Sequence, residues 1–197
     1  LSANHLEFKV KLYLLDGGAE YHETMQKSGE PAVQQTAWIL NHAQGRGDYT
    51  VAEIFRLNLE RETFRAEALM HWNATQDRTA TGRPVDAILC PITPTLAPPH
   101  DTTSWWGYSS QWNVLDLPAV VFPAGKYDYI GDEVLPVPRN DIERSIHAQW
   151  QSGTYDNAPV SLQLVGRRHN EEKLLAMLNV VEKATGKGTL NSNTAVE

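Results

Sequence analysis

Val85-Asp86-Ala87-Ile88-Leu89-Cys90-Pro91-Ile92-Thr93-Pro94-Thr95, Asn113-Val114-Leu115-Asp116-Leu117-Pro118-Ala119-Val120-Val121-Phe122-Pro123-Ala124-Gly125 and Ala158-Pro159-Val160-Ser161-Leu162-Gln163-Leu164-Val165-Gly166 decide the fold. Each contains a short apolar run rich in branched residues and bounded by Pro or Gly, the pattern of a strand inside a core. One such run is common to any α/β protein. Three in order, with helical stretches between them, indicate a sheet layered against helices. Val85 to Cys90, Ala119 to Phe122 and Pro159 to Val165 lack alternation of apolar and polar residues, which predicts strands buried on both faces.

Working outward, Thr50 and Glu53 have capping-box spacing, so a long helix is expected from Asp48 or Thr50 to about Trp72. Ile54, Leu57, Phe64, Ala68, Leu69 and Trp72 would face inward, and Glu60, Arg61, Arg65 and Glu67 outward. Earlier helices are expected over 19–28 and, after Pro31, over 32–42. Pro98, Pro99 and the run from Asp101 to Gly107 mark an extended loop. A short helix over 109–115 precedes the second strand. The segment 125–139 reads as a surface excursion, 141–150 as an amphipathic stretch, and 170–185 as a final helix. In that last helix Leu174, Leu175, Leu178 and Val181 would point inward, and Gly186 would close it. One domain over 1–190 is expected, followed by a frayed tail at 191–197.

Composition narrows the function. The 197 residues are 41% hydrophobic and 21% charged, enough for one globular core. With 24 acidic against 17 basic residues the net charge is −7, which repels phosphate backbones and anionic membranes. Neither a nucleic-acid nor a membrane partner is expected. No apolar run approaches the roughly 20 residues of a bilayer span, and no secretory signal opens the chain. The single Cys90 excludes an internal disulfide. A cytoplasmic protein is expected on these grounds.

Familiar catalytic patterns are missing. The seven histidines have no close helical pairing, and neither His-Glu-x-x-His nor paired cysteines occur, so no metal is expected. Gly-x-Ser-x-Gly and Ser-x-x-Lys are absent. Gly45-Arg46-Gly47 and Gly186-Lys187-Gly188 lack P-loop spacing and read as a turn and a helix terminus. Asn73-Ala74-Thr75 is a sequon in form, placed at the end of the long helix. The aromatic group Trp105, Trp106, Tyr108 and Trp112 sits beside the Pro-rich loop, where burial of indole area is the simplest explanation.

The three strand segments, in this order and spacing, resemble the C-terminal part of the amidase signature family. Leu14-Leu15-Asp16-Gly17-Gly18, Ser28-Gly29-Glu30-Pro31 and Asn170-Glu171-Glu172-Lys173-Leu174-Leu175 extend the resemblance, and the first two are similar to the fungal acetamidase branch. It spans about residues 12–186. Leu1 to Lys11 matches nothing, and the chain does not begin with Met, so it reads as a piece of a longer protein or a product truncated upstream.

The resemblance implies an α/β fold, a mixed sheet between helices and incomplete in this chain, and hydrolysis of a carboxylic amide to acid and ammonia without a cofactor. It also implies a serine nucleophile, a second serine and a lysine base, supplied by an N-terminal half outside these residues. None of Lys9, Lys11, Lys27, Lys126, Lys173, Lys183 or Lys187 is given a catalytic role, and the chain alone is expected to be inactive. Counting back from Asn113, the resemblance to fatty acid amide hydrolases places Trp106, Ser110 and Thr103 on the acyl-binding wall. A small-molecule amide is the expected partner of the longer protein, with self-association through an exposed sheet edge. A catalytically inactive fragment with a binding or assembly role is the alternative. An amidotransferase subunit acting on charged transfer RNA is disfavoured by the acidic balance.

Overall fold

A computed structural model describes residues 3–43, 47, 49–103, 105–127, 135–151 and 153–185. Seven α-helices and three strands are described. The helices are α1 (Ala3–Tyr13), α2 (Ala19–Ser28), α3 (Gln34–Ala43), α4 (Val51–Ala74), α5 (Gly107–Leu115), α6 (Asp141–His147) and α7 (Glu171–Ala184). The strands are β1 (Ile88–Pro91), β2 (Ala119–Lys126) and β3 (Pro159–Val165).

The α/β class holds. The strands lie in the order β1-β3-β2, and both described pairings are antiparallel. Leu164 sits between Leu89 and Val120, and Gln163 between Cys90 and Val121. The register of β2 shifts between Pro123 and Gly125, where a proline without an N–H interrupts the ladder. Phe122 and Leu164 project from one face onto Leu174 of α7, with Val120, Leu162, Met177 and Leu178 packed around them. Gln163 faces the opposite side, toward α5.

The outer strands are not buried on both faces as expected. Leu89 and Val121 are 52% and 51% exposed, because β1 and β2 each pair only with β3 among the described residues. In α7, Leu174 is buried but Leu175, one residue and about 100° further round the helix, is exposed. Leu69 likewise points outward from α4. Arg65, expected in solvent, instead donates through Nε to the Val114 carbonyl at 2.7 Å and ties α4 to α5. The proposed helix end at Gly186, the tail 191–197, Asp48, most of the turn at 45–47, and 128–134 of the excursion at 125–139 lie outside the described residues.

Local chemistry explains the helix ends. The Thr50 hydroxyl accepts from the Glu53 N–H, and the Glu53 carboxylate accepts from the Thr50 N–H at 2.8 Å, so α4 begins with a complete capping box. The two motifs nearest the N-terminus bracket α2. Asp16 accepts from the N–H groups of Gly18 at 3.0 Å and Glu20 at 2.9 Å, satisfying its first turn. Gly29 closes it at φ 71°, its N–H donating to the Met25 carbonyl. At Gly47, with φ 111°, a Cβ would lie 2.7 Å from the Gly17 nitrogen, so these loops meet backbone to backbone.

Trp72 anchors the other end of α4. Its indole is buried, donates to the Val85 carbonyl at 2.8 Å and carries the Arg167 guanidinium 5.1 Å above the ring. The Thr75 hydroxyl accepts from the Val85 N–H at 3.0 Å, which fixes the approach into β1. No helix among the described residues is long and apolar enough to cross a membrane.

Candidate functional site

The extended loop between β1 and α5 separates two cavities. Its prolines remove backbone donors and hold the chain away from the sheet ladder. Two glutamine amides pin its far end: Gln149 donates to the Thr102 carbonyl at 2.9 Å and Gln35 to the Thr103 carbonyl at 3.4 Å. The segment just after α6, and α3, are thereby both tied to the loop.

The smaller cavity, about 330 Å³, lies between this loop and α3. Thr103 and Trp106 form its loop side, and Gln35, Trp38 and Ile39 its helical side. The Trp38 and Trp106 rings meet edge to face, with centroids 5.2 Å apart and planes at 88°. This arrangement sets the positive edge of one indole against the electron-rich face of the other. The result is an apolar wall with a few amide and hydroxyl groups and the Asp101 carboxylate at its margin.

Ser110 does not share that cavity. It lies one turn further along α5 on the inward side, 2% exposed, and accepts a hydrogen bond from Lys9 Nζ at 3.2 Å. Of the three residues placed on the acyl wall from sequence, the structure therefore brings Thr103 and Trp106 together and sets Ser110 apart, beneath α1. Lys9 had no sequence signal, since Ala3–Tyr13 carries no motif. Trp38 and Gln35 became visible only through contact with the loop.

The larger cavity, about 1030 Å³, lies on the other side of the loop and is lined by Thr93, Thr95, Tyr108, Glu143, Trp150 and Ser161 among others. Arg139 and Glu143 form an ion pair on its rim, with Arg139 Nε 2.7 Å from the carboxylate. The guanidinium and the Arg139 backbone N–H hold the Glu143 carboxyl at a pKa of about 2, far below its ordinary range. Both charges serve each other, which leaves the rim polar but electrically balanced. No cluster of His, Cys, Asp or Glu suited to a metal ion occurs among the described residues.

Residues 5–175 match the amidase family model, so the match begins within Leu1 to Lys11, the segment that the sequence reading left unmatched. A protein of Schizosaccharomyces pombe whose name places it among the amidases is 36% identical over 174 residues, which make up 87% of this chain and 31% of that protein. An acetamidase of Aspergillus oryzae is 32% identical over 178 residues, covering 89% and 32% respectively. A solved fatty acid amide hydrolase superposes with a TM-score of 0.78 at 28% identity, covering 93% of this chain and 32% of that one. The chain thus spans about a third of the length of the relatives it matches.

Proposed function

We propose that this chain, which belongs to the amidase family, is the C-terminal, substrate-wall portion of an acetamidase-like amide hydrolase. The reaction converts a carboxylic amide and water to acid and ammonia. Amides are weak electrophiles, so the site needs an activated nucleophile, a proton donor for the leaving nitrogen and donors aimed at the developing oxyanion. These groups belong to the part of the enzyme outside this chain. The chain's contribution is selection of the acyl group.

The observation that carries this reading is the wall formed by Thr103 and Trp106, closed from the opposite side by Trp38. An indole filling that space shortens the room left for an acyl chain, in keeping with a small substrate. The open edges of β1 and β2 are where the remainder of the sheet would join. Alone, the 197-residue chain would release no ammonia from acetamide above background.

The test is Trp106→Ala in the intact amidase. It should raise kcat/KM for longer acyl amides relative to acetamide, each added methylene in an apolar pocket being worth about 1–3 kcal/mol. An unchanged chain-length profile would remove Trp106 from the substrate wall. Sustained acetamide hydrolysis by the repurified 197-residue chain would overturn the division of labour.

A further inference from the structure

Trp38 and Trp106, the indoles that meet edge to face in the smaller cavity, come from different elements: Trp38 from α3, Trp106 from the residue that opens α5. One helix supports both, because α1 packs against α3 as well as α5. The backbone of Trp106 is held by the first turn of α5, where its carbonyl accepts from the Ser109 N–H at 3.1 Å and the Ser110 N–H at 3.0 Å. Ser110 is therefore held at both ends. Its N–H reaches Trp106, and its hydroxyl accepts from Lys9 Nζ of α1 at 3.2 Å, in a place where both side chains are 2% exposed. About one turn further along each helix, Asn113 Nδ2 donates to the Tyr13 hydroxyl at 2.8 Å. Of these two rungs between α1 and α5, the buried one lies nearer Trp106 along α5.

A buried ammonium is a costly way to fill space. A methionine side chain would occupy a similar volume without that cost, so what Lys9 adds is direction: a hydrogen bond in a low dielectric fixes distance and angle, which apolar packing leaves free to slide. Edge-to-face contact between indoles depends on such placement. We propose that Lys9 is a positioning residue for acyl selection, which through Ser110 sets Trp106 against Trp38 and so fixes the size of the acyl group admitted. The inference rests on the reading of Trp106 as part of the acyl wall. It also gives Ser110 a part in selection without contact with substrate, since Ser110 lies outside the cavity that Thr103 and Trp106 share.

In the intact amidase, Lys9→Met should raise kcat/KM for butyramide relative to acetamide by about tenfold, the direction expected of Trp106→Ala, and Ser110→Ala should do the same. The double variant should move the ratio no further than either single one, because both remove the same contact. A residue that served only stability would lower both rates together and leave the ratio alone. In the 197-residue chain, the near-ultraviolet circular dichroism lost on Trp38→Leu should also be weakened by Lys9→Met, with the far-ultraviolet spectrum unchanged. A ratio unmoved by Lys9→Met but shifted by Trp106→Ala would overturn the inference and leave the proposed function standing, whereas a ratio unmoved by both would overturn the two together. Additive shifts from Lys9→Met and Ser110→Ala, or an undiminished near-ultraviolet signal, would equally overturn the inference.

Discussion

Lys9 Nζ lies 3.2 Å from Ser110 Oγ and donates to it across 101 positions of sequence. Both residues are 2% exposed, and no carboxylate pairs with the lysine among the described residues. Loss of water disfavours the ammonium and lowers its pKa from 10.5 to about 8. The contact joins α1 to α5 around a dehydrated cation whose partner among the described residues is a hydroxyl.

That arrangement has a definite pH signature. The folded pKa lies below the unfolded one, so between about pH 8 and 10.5 the unfolded chain binds the additional proton. The cost of the buried charge is constant below pH 8 and is relieved as pH rises through this window, by at most about 3 kcal/mol. Lys9→Met should therefore stabilise the chain at pH 7 and flatten the rise. Urea unfolding at pH 7, 8, 9 and 10 measures both; a destabilised variant with an undiminished rise would contradict the account.

Trp72 tests the junction between α4 and β1. Trp72→Ala removes a buried indole, its bond to the Val85 carbonyl and the ring beneath Arg167, at a cost of about 3–5 kcal/mol. Trp72→Phe keeps most of the apolar area and leaves that carbonyl without its donor, costing about 1–3 kcal/mol. Chemical denaturation should rank wild type, Phe and Ala in that order. Equal losses would mean that packing contributes little there.

Gln163 is the polar bolt of the sheet. Its amide nitrogen donates to the Pro91 carbonyl at 2.8 Å and to the Tyr108 carbonyl at 3.1 Å. Gln163→Leu preserves bulk but removes the side-chain donor from the Pro91 carbonyl, and a loss of about 1–3 kcal/mol is expected. Faster amide exchange at the start of α5 should accompany it. A variant of wild-type stability would show that water replaces the bolt.

Cys90 should be a sluggish thiol. Burial raises its pKa and outweighs every opposing effect of its surroundings. Modification by a disulfide reagent at pH 7 should run at least tenfold slower in the folded chain than in urea. The folded rate should still be climbing above pH 9, and a plateau below that pH would count against the stated cause.

What could be read from sequence was mostly local. Thr50 and Glu53 announce their helix because a capping box is complete within four residues, and Asp16-Gly17-Gly18 and Gly29 bracket α2 for the same reason. β3 is matched residue for residue because Pro159 and Gly166 bound its apolar run. α4 was harder: apolar residues occur on more than one side, so the inner stripe of Ile54, Leu57 and Trp72 did not reveal that Phe55 and Leu59 form another. α1 carried no readable motif, and the burial of its lysine depends on a helix a hundred residues away. Trp106 and Thr103 could be placed by counting from Asn113, but their closure by Trp38 required the tertiary fold.

The central position of β3 has a consequence for how the molecule is made. Among the described residues β1 and β2 do not pair with each other, and each finds its strand partner in residues 159–165. Synthesis delivers β1 and β2 before the strand that joins them exists. For that interval the two strands lack their shared partner, a condition open to misassociation. Closure then comes in a late, long-range step, set by loop entropy rather than by local propensity.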